Sequence, residues 1–168
     1  MKKILFLSML FLAALMGSAQ DLMVAYLDCD PPLANILNKP SGATVMQLSY
    51  DEIYIFTLTS PQDGWWKIEE LWTAEEDETM SLTGSDTDEY WIHYSNLGVG
   101  TRNYGGECLT MRSDPDEEAD IIFTFTQELT LMPIDIQNGW VKVQVDGYDI
   151  IGWIEAEWLC SNPLTNCC

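Results

Sequence analysis

The sequence predicts an all-β chain of two small β-barrels in tandem, the first carrying a long acidic hairpin insert. Three observations predict it. One stretch occurs twice, as Gly64-Trp65-Trp66-Lys67-Ile68 and as Gly139-Trp140-Val141-Lys142-Val143, 75 residues apart (64 to 139). The same offset carries Pro40 onto Pro115, Met46 onto Ile121, Leu48 onto Phe123, Tyr54 onto Leu129 and Phe56 onto Leu131, so the chain holds an internal repeat. Short runs of β-branched and aromatic residues are separated by Gly, Pro, Asn and Asp turns at intervals of roughly 8–12 residues. No stretch reads as a long amphipathic helix.

Met1-Lys2-Lys3, the apolar run Ile4 to Met16 and Gly17-Ser18-Ala19 form the pattern of a secretory signal peptide over residues 1–19. The run is short for a bilayer span, and no Cys follows the small residues as a lipoprotein would require. Cleavage after Ala19 leaves 149 residues (168 − 19), with nothing long and apolar enough to be a membrane helix. The expected location is outside the cytoplasm, periplasmic or extracellular, with no membrane insertion of the mature chain.

The first copy, residues 20–98, opens with a strand at Met23 to Leu27 and a turn at Pro31-Pro32. A short strand at Asn35 to Asn38 ends in the turn Lys39-Pro40-Ser41-Gly42. Strands follow at Val45 to Leu48 and Ile53 to Leu58, then a turn over Ser60 to Gly64 and a strand from Trp65 to Trp72. Side chains alternate across a strand, so Trp66 and Ile68 are expected inside, Trp65 and Lys67 outside. Thr73 to Glu89 is rich in Asp and Glu and is expected as a mobile or extended hairpin beyond the barrel. Tyr90 to Tyr94 resumes the sheet.

Gly98 to Gly106 reads as the boundary. The second copy, residues 99–168, repeats the order: Leu109 to Met111, a turn at Ser113 to Asp116, Ile121 to Phe125, Glu128 to Met132, a turn at Gln137 to Gly139 and the hairpin Trp140 to Ile154. Asp146-Gly147 is expected as its two-residue turn. Trp65 to Trp91 spans 26 residues, whereas Trp140 to Trp153 spans 13, so the insert adds 13 to the first hairpin. Cores this small are each marginal, so the two barrels are expected to pack on each other.

Charge restricts the partners. The mature part keeps five basic residues, Lys39, Lys67, Arg102, Arg112 and Lys142, against 27 acids, a net charge of about −22 (5 − 27) with His neutral. A phosphate-tracking nucleic-acid interface has no basic footprint here, and an anionic membrane surface would repel the chain. The charge serves solubility or steers the protein to a basic partner.

Each copy resembles the bacterial SH3-like domains of cell-envelope proteins. In the first copy the resemblance rests on Asn35-Ile36-Leu37-Asn38-Lys39-Pro40, Gly64-Trp65-Trp66-Lys67-Ile68 and Trp91-Ile92 with Leu97. In the second it rests on Leu109-Thr110-Met111-Arg112-Ser113-Asp114-Pro115, Gly139-Trp140-Val141-Lys142-Val143 and Gly152-Trp153-Ile154 with Leu159. The first copy departs in its long hairpin, in Tyr90 where Gly is usual and in Asn96 where an aromatic is frequent; Trp158 holds that place in the second. The resemblance implies five-stranded barrels acting as recognition or targeting modules, which in envelope proteins bind cell-wall peptides or accompany wall-cleaving enzymes.

Five cysteines, Cys29, Cys108, Cys160, Cys167 and Cys168, suit an exported chain with disulfides; the odd number leaves one over. Cys108 precedes the opening strand of copy 2 and Cys160 ends its closing strand, so a Cys108–Cys160 bond is expected. Metal spacing is absent, since only Cys167-Cys168 are close and His93 is the one histidine; no metal and no cofactor are expected. Neither Asp114 to Glu118 nor the insert around Gly84 has the ligand spacing of a calcium loop.

Cys–His catalysis would need His93, which sits in the strand position matched by Glu155 and has no thiol beside it in sequence. Glu69-Glu70 near Trp72, and Glu155 and Glu157 near Trp158, imitate a sugar-cleaving carboxylate pair, but a solvated charged face explains them. The chain is therefore expected not to be an enzyme. Aromatics carry the better signal. Trp65, Trp140 and Trp158 fall on faces not committed to the core, where Trp stacks on peptides or sugars or glues the barrels together. Trp140 and Trp158 are expected to floor a groove, with Glu155, or His93 in the first copy, as its polar partner. The expected function is an exported recognition module for a cell-wall peptide or envelope protein. The alternatives are an acidic inhibitor or immunity-type protein docking on a basic wall-cleaving enzyme, and a hydrolase.

Overall fold

A computed structural model describes residues 23–28, 33–49, 51–73 and 88–161. The expected signal peptide, the Pro31-Pro32 turn, most of the acidic insert and Cys29, Cys167 and Cys168 lie outside these residues. Thirteen strands run through the rest: β1 (Met23–Leu27), β2 (Leu33–Leu37), β3 (Thr44–Ser49), β4 (Tyr54–Gln62), β5 (Trp65–Thr73), β6 (Trp91–His93), β7 (Leu97–Thr101), β8 (Leu109–Arg112), β9 (Ile121–Phe125), β10 (Thr130–Gln137), β11 (Trp140–Val145), β12 (Ile151–Glu155) and β13 (Leu159–Cys160). Two short 3-10 turns, Tyr94–Asn96 and Ala156–Trp158, interrupt them. The chain is thus all-β, in one continuous antiparallel sheet of order β3-β2-β6-β5-β4-β1-β7-β10-β11-β12-β8-β9, with β13 also on β7. Among the described residues no helix is long and apolar enough to cross a membrane.

Six strand pairings occur twice. β1 pairs with β4 and β7, β2 with β3 and β6, and β5 with β4 and β6. In the same sense β7 pairs with β10 and β13, β8 with β9 and β12, and β11 with β10 and β12. Strand β7 serves both sets. Its Leu97 and Gly98 pair with β1, while Val99 and Gly100 pair with β10 and Gly100 and Thr101 with β13.

The expected glycine-rich boundary therefore begins inside a strand. Gly98 is there for close approach: a Cβ would stand 2.7 Å from the Tyr26 ring and 2.8 Å from Asp28. The repeat register also shifts locally. Ile36 faces Met46 and Met111 faces Phe123, so Phe123, not Ile121, is the counterpart of Met46. The β8–β9 connection is two residues longer than the β2–β3 one. Ile121 falls opposite Arg112, at the outer end of the edge strand, and is 55% exposed.

The hairpins show why the Trp residues sit where they do. Asp63-Gly64 has φ of 49° and 81°, and Asn138-Gly139 has 51° and 82°. Positive φ at both central residues is the two-residue turn whose twist matches the strands it joins. The turn expected over Ser60 to Gly64 thus narrows to Asp63-Gly64, and Gln62 faces Trp65 as Gln137 faces Trp140. The Asp146-Gly147 hairpin differs from the expectation. Only Gly147 (φ 72°) is positive, so this turn lacks the favoured twist. Tyr148 N–H donates to Val145 O (3.1 Å), and the ladder resumes only at Val145 N–H to Ile150 O (3.0 Å). The connection is four residues, 146–149.

Alternation holds in both central hairpins. Trp66, Ile68, Val141 and Val143 are buried, while Trp65, Lys67, Trp140 and Lys142 are partly exposed. One hydrophobic cluster contains buried residues of both halves, among them Phe56, Trp66, Leu97, Leu131 and Val143. Trp66 Nε1–H donates to Pro133 O across the halves at 2.7 Å, and Tyr94 Oη–H donates to Gln144 Oε1 at 3.0 Å. One end of the insert lies in the sheet and the other is tied to it by side chains. Thr73 closes β5 and is buried, and Glu89 accepts from Trp91 Nε1–H and pairs with Lys67 at 3.5 Å.

The Cys108–Cys160 bond does not form. Cys108 is a free, exposed thiol. Cys160 is buried. Strand pairing explains this. The segments that meet are β7 and β13, whereas Cys108 leads into β8, which lies between β12 and β9.

Candidate functional site

The Asn138-Gly139 turn puts Trp140 first in β11, directly opposite Glu155 at the end of β12. Ala156 N–H donates to Gly139 O (2.8 Å), which pins the start of the second 3-10 turn to the hairpin. That turn brings Trp158 back over Glu155, and Trp158 Nε1–H donates to Glu155 Oε2 at 3.2 Å. Strand β8 forms the opposite wall. Cys108, Leu109, Thr110, Arg112, Trp140, Glu155 and Trp158 line a cavity of about 200 Å³. Three of the residues singled out from sequence, Trp140, Trp158 and Glu155, meet there.

A second, wider concavity of about 410 Å³ also borders Trp158, with Arg102 and Glu157 as its other walls. Arg102 is fixed twice to the 3-10 turn. Its backbone N–H donates to Trp158 O (2.9 Å) and its Nη1–H to Glu157 O (3.2 Å). Arg112 Nη1–H donates to Ala119 O at 2.7 Å. Lys142 is turned elsewhere, its Nζ 6.0 Å from the centroid of the Trp153 ring.

Trp65 and His93 lie in the first half, apart from this cavity. They face each other across β5 and β6 as Trp140 and Glu155 do across β11 and β12. Their rings meet edge-on at 4.9 Å, and Tyr94 lies 4.6 Å from His93. Gly64 admits this cluster: a Cβ there would stand 2.9 Å from the Tyr94 ring.

His93 Nδ1 accepts from the Ser95 backbone N–H at 3.3 Å, which requires the neutral ring. Burial pushes its pKa below the ordinary 6.5. Since the folded value is the lower one, the unfolded chain binds the proton more readily, and the contribution present above pH 6.5 is lost as pH falls through the folded pKa. The melting temperature of wild type, taken relative to His93→Gln, should therefore decline from about pH 6.5 downward; a flat difference would contradict it.

Arg102, Arg112, Leu109 and Thr110 carried no signal as site residues. The available clue was scarcity: two of the seven Lys and Arg of the chain sit at this site. Among the described residues no group of three or more His, Cys, Asp or Glu is arranged to hold a metal ion.

A family model of the bacterial SH3 domain matches residues 109–159, from the start of β8 to Leu159. This segment of the chain is similar to that domain. Two solved structures are also similar, NlpC1 and NlpC2 of Trichomonas vaginalis, at 15% and 16% identity and TM-scores of 0.31 and 0.32. The alignments cover 85% and 86% of this chain but 47% and 50% of those chains, so it spans about half their length. No curated protein matches.

Proposed function

We propose that the protein is an exported, non-catalytic recognition module, and that the site around Trp140 and Trp158 binds a peptide or wall fragment of the cell envelope. What carries the reading is the convergence of Trp140, Trp158 and Glu155 on one cavity, in the segment that matches the bacterial SH3 domain. Partly exposed indoles give a stacking floor, and a carboxylate between them gives a polar anchor. The architecture belongs to the proposal too. Two small barrels, residues 20–98 and 99–168, share β7, and the doubled set of six pairings supports this division.

Tryptophan fluorescence titration with soluble wall peptides tests the reading. Binding is expected to lose less than about tenfold at 1 M salt, where screening leaves stacking intact. Failure of wall peptides, with capture of basic lysozyme that vanishes at high salt, would instead favour the acidic inhibitor reading, for which the net charge of −20 speaks.

A further inference from the structure

We infer that the two concavities flanking Trp158 hold the two ends of one short zwitterionic peptide, its carboxylate on Arg102 and its amine on Glu155. This rests on the recognition reading above and names the ligand class of the same site.

The argument starts from charge. The chain carries 27 acids and seven Lys and Arg, so each cation has carboxylates in excess. Lys67 takes two of them, Glu69 at 3.6 Å and Glu89 at 3.5 Å. Arg102 and Arg112 take none among the described residues. Each is held instead by a backbone carbonyl, Glu157 O or Ala119 O. A carbonyl fixes a guanidinium in place without neutralising it. A guanidinium has five N–H donors in a planar fork matched to a carboxylate. Among the described residues only one side-chain donor of Arg102 is engaged, and its side chain walls an open concavity.

An anion alone would be repelled by the field of so acidic a protein. A ligand of zero net charge is not, provided its positive end also finds a partner. Glu155 supplies one. Its Oε2 accepts the Trp158 indole N–H, and a carboxylate has about four acceptor sites, which leaves capacity for an ammonium. Trp158 stands between the two charged groups, lining both concavities, and seats the residues joining the peptide's ends. Glu157 lines the Arg102 side as well, without ion-pairing to it, and acts as a weak competitor for the guanidinium.

Trialanine with free ends, its C-terminal amide and its N-acetyl form, titrated into the full chain by tryptophan fluorescence, test this. The free-ended peptide is expected to bind about tenfold more tightly than either capped form, one charge-assisted contact being lost in each. Arg102→Gln should abolish discrimination against the amide and keep it against the acetyl form. Glu155→Gln, which still accepts from the Trp158 indole, should do the reverse. Glu157→Gln should tighten the free-ended peptide. Equal binding of all three peptides, or loss of the amide discrimination through Arg112→Gln and not Arg102→Gln, would overturn the inference. So would trialanine without effect while wall peptides still bind, an outcome that leaves the groove standing. If no peptide of either kind binds, the groove reading itself fails.

Discussion

Trp66→Ala is expected to lower the stability of both halves together, in one transition, by about 3–5 kcal/mol, the range for a large buried aromatic cut to Ala. Trp66 is completely buried, so truncation opens a cavity in the cluster that joins the halves. It also strips the Pro133 carbonyl of its 2.7 Å donor, and a buried acceptor left unpaired costs about 1–3 kcal/mol. The two losses fall on opposite sides of the repeat, the ring in β5 and the carbonyl in β10. For a chain of this length the melting temperature should fall by about 10 °C. Trp66→Phe separates the contributions, since it keeps most of the ring and loses the N–H. Circular dichroism and fluorescence melts would check this. Two separated transitions, with one left at the wild-type temperature, would show that the halves fold independently.

Sequence showed the site's faces but not what closes it. Alternation placed Trp66 and Ile68 inward, because a strand's two faces follow from its period alone, and the same period buries Val141 and Val143 in β11. The turns at Asp63-Gly64 and Asn138-Gly139 were legible, within wider bounds, because each demands a special backbone, whereas Asp146-Gly147 did not form the two-residue turn its residues suggested. The shared strand was not. Gly98 and Gly100 read as linker chemistry, yet Gly98 is needed because Tyr26 and Asp28 crowd it from β1, a contact between residues far apart in the chain. The Cys108–Cys160 pairing failed likewise: nearness to the ends of a repeat does not say which strands are neighbours. Trp65 was read as facing outward, but alternation says nothing about what covers that face, and here His93 stands against it. Arg102 and Arg112 were visible as scarce cations. Their assignment to the site needed the 3-10 turn at Ala156–Trp158, whose carbonyls hold Arg102.

Trp140→Ala is expected to weaken wall-peptide binding by about thirtyfold, the effect of losing about 2 kcal/mol from a central interface Trp, while the fold survives. Val143→Ala, three residues on in the same strand, is expected to do the opposite. Trp140 and Lys142 share the partly exposed face of β11, whereas Val141 and Val143 are fully buried. Removing two buried carbon groups at Val143 forfeits about 0.8 kcal/mol each in transfer energy, plus the cavity left behind. The pair forms an internal control, because both variants alter β11 and neither changes charge. Titration and thermal melts on the same samples give the two readouts. If Trp140→Ala melts the protein as Val143→Ala does, and wild-type Trp140 is shielded from a soluble quencher, the ring is structural glue. The cavity it shares with Glu155 and Trp158 then has no binding floor.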